Sequence, residues 1–171
     1  MAHVGKKALA LDLESAEAIA LQGLAFLAQE PARFARFLKL TGLAPQDARA
    51  QAGRPVATVL GSSITTGPID AALVNGVFAH SDETDDSHGP SQSHPGASIV
   101  PAALALGEEL GASGEHYLRA VTLGYDVGTR LTMALGAIDF RNDTRRSTHA
   151  YAGNFGSAAA AGSVAALTAQ Q

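Results

Sequence analysis

Residues 75–96 read NGVFAHSDETDDSHGPSQSHPG, and the segments on either side of them are alanine-rich with helical spacing. Before the stretch stands PIDAALVNGVFAH, opened by Pro68, and after it GASIVPAALALGEELG, with Pro101 restricted to the first turns or to a kink. A polar connector between apolar helices is the unit from which an all-α bundle is built. Within the connector, His80, His88 and His94 and the acids Asp82, Glu83, Asp85 and Asp86 fall inside fifteen residues. A solvated loop that only caps neighbouring helices accounts for some acids. It does not account for three imidazoles among them, so chemistry is sought here first.

Upstream, VATVL (56–60) is short, β-branched and apolar, and GSSITTG supplies turn residues, which predicts one short hairpin or extended segment near 55–66. Gly76 inside the helix that follows costs about 1 kcal/mol against alanine, tolerable where another backbone packs closely. Downstream, Ser113 is the expected N-cap of a long helix whose buried stripe is read as Leu118, Val121, Tyr125, Gly128, Leu131 and Leu135. His116 in its first turn would gain nothing from the helix dipole if protonated. A second polar connector, AIDFRNDTRRSTHAYAGN, carries Arg141, Arg145, Arg146 and His149 and leads into an alanine-rich terminal helix from about residue 155.

Residues 1–52 read as a small helical unit. Leu13, Ala16, Ala20, Leu24 and Leu27 are at helical spacing, Pro31 opens a second helix with Phe34, Phe37, Leu38 and Leu40, and Pro45 opens a third piece. Character changes at Gly53-Arg54-Pro55, so the chain divides into 1–52 and 53–171.

Composition narrows the function classes. A net charge of −4 and a pI near 5.8 leave no footprint for nucleic acid, and no basic amphipathic stripe suggests a membrane surface. The absence of cysteine excludes disulfides, thiolate catalysis and cysteine-ligated metal. The start is a poor signal peptide, its apolar run broken by Asp12 and Glu14, which makes a cytoplasmic protein the default.

An Asp, Glu or His moves protons near neutral pH when its surroundings tune it, and an arginine matches carboxylates bidentately. Two connectors that converge at one end of a bundle would join acids and imidazoles from the first to His149 and the arginines of the second, and small acidic substrates follow. For a metal, His80, Asp85, His88 and His94 are donors, but H-x7-H-x5-H matches no short metal motif, so no metal is expected. No G-x-S-x-G elbow and no Walker-type loop is present.

RPVATVLG, AALVNGVFAHSDETDDSH, SHPGASIVPAALALGEELGASG, LRAVTLGYDVGTRL and THAYAGNFGSAAAAG together resemble the MmgE/PrpD family over about residues 54–167. That family holds 2-methylcitrate dehydratases, cis-aconitate decarboxylases and an iminodisuccinate epimerase. The resemblance implies a mostly helical domain, metal- and cofactor-free chemistry on small polycarboxylates and a homodimer or other self-association.

In relatives the active-site loop runs H-x-x-D-F-D-D-T-H, followed by a histidine before proline-glycine or proline-serine. By that pattern the family's active-site aspartate falls on Glu83, its threonine on Ser87, and its histidines on His94 and His149. The resemblance therefore implies active-site roles for Glu83, Ser87, His94 and His149; Glu83, His94 and His149 are expected to be catalytic, and Asp86, Ser87, His88 and Arg146 are expected to bind substrate. Glu for Asp keeps the carboxylate one methylene further out, and Ser for Thr keeps the hydroxyl. Relatives carry a further active-site lysine and a second α/β domain downstream, whereas residues 55–171 hold no lysine. Residues 1–52 look instead like a small family of uncharacterised bacterial helical proteins, which suggests a fusion or recombined fragment joined near Gly53.

The leading expectation is a lyase, or a fragment of one, acting on a 2-methylcitrate- or cis-aconitate-like acid. The alternative is a catalytically inactive helical interaction module or remnant. Apolar faces of the helices at 96–110, 114–135 and 155–169 are expected to be exposed and to drive self-association.

Overall fold

A computed structural model describes residues 54–81, 85–168 and 170–171. The expected unit 1–52 and residue Glu83 therefore lie outside the described residues. Among the described residues are two short strands, β1 (Ala57–Thr58) and β2 (Thr65–Thr66). Five helices follow: α1 (Pro68–His80), α2 (Gly96–Leu110), α3 (Gly114–Ala134), α4 (Ile138–Thr144) and α5 (Thr148–Val164). The fold is all-α with one small hairpin.

The hairpin is antiparallel, with Ala57 opposite Thr66 and Thr58 opposite Thr65. Two strands of this length are not stable alone. Side chains from the helices hold them. Asn75 of α1, 1% exposed, accepts from Leu60 N (2.9 Å) and donates to the Thr58 carbonyl (2.9 Å). Glu108 of α2 accepts from Thr58 N (2.6 Å) and from its hydroxyl (2.7 Å). The hairpin is thus fixed to both helices that flank the polar connector.

Helix α1 packs on α2, α2 on α5, and α3 along α5. Pro101 cannot donate to the Ala97 carbonyl, and that oxygen lies against Gly76, where a Cβ would come within 2.8 Å. The glycine inside α1 is where the backbone of α2 passes. Ile99, Val100, Val121, Tyr125, Ala160 and Val164 form the core between α2, α3 and α5.

Two sequence expectations change here. The buried face of α3 is Tyr117, Ala120, Val121, Gly124, Tyr125, Gly128, Thr129 and Thr132, while Leu131 is half-buried and Leu135 is exposed. The reason is that α3 meets α5 through small residues, Gly124 against Gly156, and the buried threonine hydroxyls bond to carbonyls of their own helix. Small residues allow close axes, and the bulkier leucines fall to the flank. Secondly, α5 starts at Thr148, capped by the Ser147 hydroxyl, so His149 sits in a helical first turn rather than in a connector.

On the helices expected to present apolar faces, Leu110, Leu123, Met133, Leu135 and Phe155 are exposed, as is Leu167 just beyond α5. The most exposed apolar stripe is Ile69, Leu73 and Val77 of α1, at 83%, 61% and 39%. Ser113 caps α3 as expected, and His116 Nε2 donates to the Ser163 carbonyl at the far end of α5 (2.8 Å). No helix among the described residues is long and apolar enough to cross a membrane.

Candidate active site

The connector between α1 and α2 returns on itself through a 3-10 turn, Gly89–Ser91, closed by antiparallel bonding of His88 with Ser93. His88 builds that turn. Its Nδ1 accepts from Ser91 N (3.3 Å) and lies 2.8 Å from the Ser91 hydroxyl, which fixes the hydrogen on Nε2. Burial keeps its pKa below the ordinary 6.5, although the Asp86 charge opposes this.

Asp86 is committed to the fold as well. Its carboxylate accepts from Gly96 N (3.0 and 3.2 Å) and from the Tyr125 hydroxyl of α3. A Cβ on Gly96 would strike both the Tyr125 oxygen and Asp86 Oδ1, so only glycine fits at the start of α2. Burial raises the Asp86 pKa above 3.8, against the two hydrogen bonds that favour the carboxylate. Burial likewise raises the Tyr125 phenol, and Asp86 adds to it.

Beyond these supports three imidazoles meet. The rings of His94 and His149 stack with centroids 4.8 Å apart and planes inclined by 18°. His80, at the end of α1, stands 5.6 Å from His94 at 51°. His94 Nδ1 donates to the Asp86 carbonyl (2.7 Å), which leaves the lone pair on Nε2. Asp85, its side chain 6% exposed, reaches both rings: Oδ2 lies 3.0 Å from His80 Nδ1, and Oδ1 lies 3.7 Å from His94 Nδ1. Burial keeps the His149 pKa below 6.5, reinforced by His94, His80 and Arg141 and opposed by Asp85.

The three histidines line one cleft of about 400 Å³ with Ser98 and an apolar wall of Ala72, Leu73, Gly76 and Val77. That volume suits a small molecule. Among the described residues no group of three or more His, Asp or Glu is arranged to hold a metal ion.

Of the residues singled out from sequence, His94 and His149 are brought together in the cleft. Ser87 is exposed, and Asp86 and His88 are bonded into the support behind it. Arg146 donates to the Tyr151 hydroxyl (3.0 Å) on the exposed side, and Arg141 is the arginine whose charge reaches His149. Sequence reasoning names His80 and Asp85 as members of the polar stretch and as metal donors, but gives them no catalytic part. Two signals link them: their shared place in the H-x-x-D-F-D-D-T-H loop and their five-residue spacing across the end of a helix.

A sequence model of the MmgE/PrpD N-terminal domain matches residues 32–171. The chain belongs to the MmgE/PrpD family. The matched span begins upstream of Gly53 and takes in part of the segment that reads as a separate unit. A cis-aconitate decarboxylase-like protein, oryM, of Aspergillus oryzae is 31% identical over 89 residues. The alignment covers 48% of this chain and 18% of that protein, so the chain spans less than a fifth of the relative's length.

Proposed function

We propose that the cleft is the proton-transfer part of a lyase-type site for a small polycarboxylate of the cis-aconitate or 2-methylcitrate kind. The observation that carries this reading is the stacked pair His94–His149, one ring from the connector and one from the first turn of α5. With its Nδ1 hydrogen given to a backbone carbonyl, His94 has Nε2 free to take a proton from carbon next to a carboxylate. His149, whose pKa burial keeps below 6.5, can share or relay that proton. The imidazoles and the nearby Arg141 charge stabilise the negative charge that develops on the substrate. Family membership and the decarboxylase-like relative support the reaction class. Glu83, three residues beyond His80, enters the proposal by its match to the family's aspartate.

The test is turnover of cis-aconitate and 2-methylcitrate by the full chain, beside His94→Ala, His149→Ala and the double variant. Turnover lost in the double variant supports the site. Turnover that survives both substitutions overturns it. Calorimetry that detects binding of these acids without any turnover would favour the binding-module alternative.

A further inference from the structure

We propose that His80 is a second proton-transfer imidazole of the cleft and that Asp85 is the residue that positions it. This rests on the acid–base reading above. His80 lines the cleft beside His94, yet it comes from a different element, the last turn of α1. A helix C-terminus alone would favour a histidine there, which is the bland explanation. Asp85 argues for more. Its side chain is 6% exposed against 49% for the His80 ring, and Oδ1 has no hydrogen-bond partner among the described residues. A buried carboxylate oxygen left unpaired is costly to stability. Here the carboxylate faces two imidazoles of the site, so the cost falls where the chemistry is.

The contacts fix the tautomers. A carboxylate only accepts, so His80 Nδ1 carries the hydrogen shared with Asp85 Oδ2 (3.0 Å). His94 Nδ1 carries the hydrogen given to the Asp86 carbonyl. Both rings are thus left with Nε2 as the atom that can gain or lose a proton. The Nδ1–H bond to Asp85 persists whether His80 is neutral or protonated, so the ring keeps its orientation through a cycle. In a dehydration, the C–H bond next to a carboxylate breaks and its proton goes to His94 Nε2. Its electron pair forms the C=C bond as the C–O bond breaks, and the leaving hydroxyl takes the Nε2 proton of a protonated His80 to depart as water. The cycle closes when the proton gained by His94 passes to solvent and His80 takes one up.

The experiment uses the full chain labelled with ¹⁵N-histidine, observed by long-range ¹H–¹⁵N correlation above the histidine titration range. His80 and His94 should show the Nδ1–H form, and His88, whose Nδ1 accepts from Ser91 N, should show the Nε2–H form and serve as reference. Asp85→Ala should return His80 to Nε2–H and leave His88 unchanged. Native His80 in the Nε2–H form, or a tautomer indifferent to Asp85→Ala, overturns the positioning role. His80→Gln, with the His88 and His94 signals intact, should lower kcat for the polycarboxylate about 100-fold with little change in KM. An active native protein with an equally active His80→Gln variant overturns the proposal alone. A native protein that turns over no polycarboxylate overturns the lyase reading, and the tautomers still decide what Asp85 does.

Discussion

The imidazole of His94 lies over that of His149, centroids 4.8 Å apart, although 54 residues separate the two in the chain. Stacked imidazoles cannot both take a proton without like-charge repulsion at van der Waals range. The lowered pKa of His149 has burial as its first cause and the His94 charge as its second. His149 should therefore titrate below 6.5 in an NMR pH series, and its midpoint should rise in His94→Ala. The depressed value means that neutral His149 supports the fold fully above pH 6.5 and that this support is lost as pH falls through its own pKa. A His149 midpoint above 6.5 in the native protein would contradict the electrostatic picture of the site.

Gly96→Ala tests the support behind the histidines. A Cβ there meets the Tyr125 oxygen and the Asp86 carboxylate, and neither can retreat without breaking their mutual hydrogen bond. Overpacking of this kind costs about 1–3 kcal/mol, read as a lower urea midpoint at unchanged m. Gly114→Ala is the control, since nothing lies within 4 Å of a Cβ at that position. It should be neutral, or stabilising by about 0.4–1 kcal/mol through the unfolded state. Equal behaviour of the two variants would show that the start of α2 has room to shift.

Asn75→Ala removes the amide that joins α1 to the hairpin. Leu60 N and the Thr58 carbonyl would lose their partner at a site where Asn75 is 1% exposed. Each buried group left unpaired costs about 1–3 kcal/mol. Asn75→Asp retains an acceptor for Leu60 N but has no donor for Thr58, so it should not rescue. A loss below the range for a single group would mean that water replaces the amide.

How far the sequence carries this site can be seen residue by residue. The hairpin follows from VATVL and its turn residues, the cap of α3 from Ser113, and the tight passage at Gly76 from a glycine inside a helical pattern. His94 and His149 follow from the resemblance, and their contact bears out the convergence of the two polar segments. What the sequence does not disclose is how adjacent acids divide their work. Asp85 and Asp86 are chemically the same in a string, yet the connector turns one toward His80 and the other toward Tyr125 and Gly96. That choice depends on a tyrosine in α3, far along the chain, and no local pattern encodes it. The leucines of α3 mislead for a related reason: packing through glycine and threonine outweighs hydrophobicity where two helices come close.

The behaviour of Asp86 with pH gives the last test. Burial raises its pKa above 3.8, more than the Tyr125 and Gly96 hydrogen bonds lower it. An acid with a raised pKa in the folded state binds more protons folded than unfolded in the interval above 3.8. Stability from this group is therefore complete below pH 3.8 and is lost as pH rises through the folded pKa. Asp86→Asn keeps an acceptor for Gly96 N and has no charge to bury. Its stability relative to the native protein should improve as pH rises from about 3.8 toward neutrality and then level off. Urea midpoints of the two proteins, measured across that interval, read the difference directly. A gap that stayed constant with pH would mean that Asp86 ionises in the fold as freely as in the unfolded chain. A gap that moved the other way would mean that the hydrogen bonds from Tyr125 and Gly96 outweigh burial.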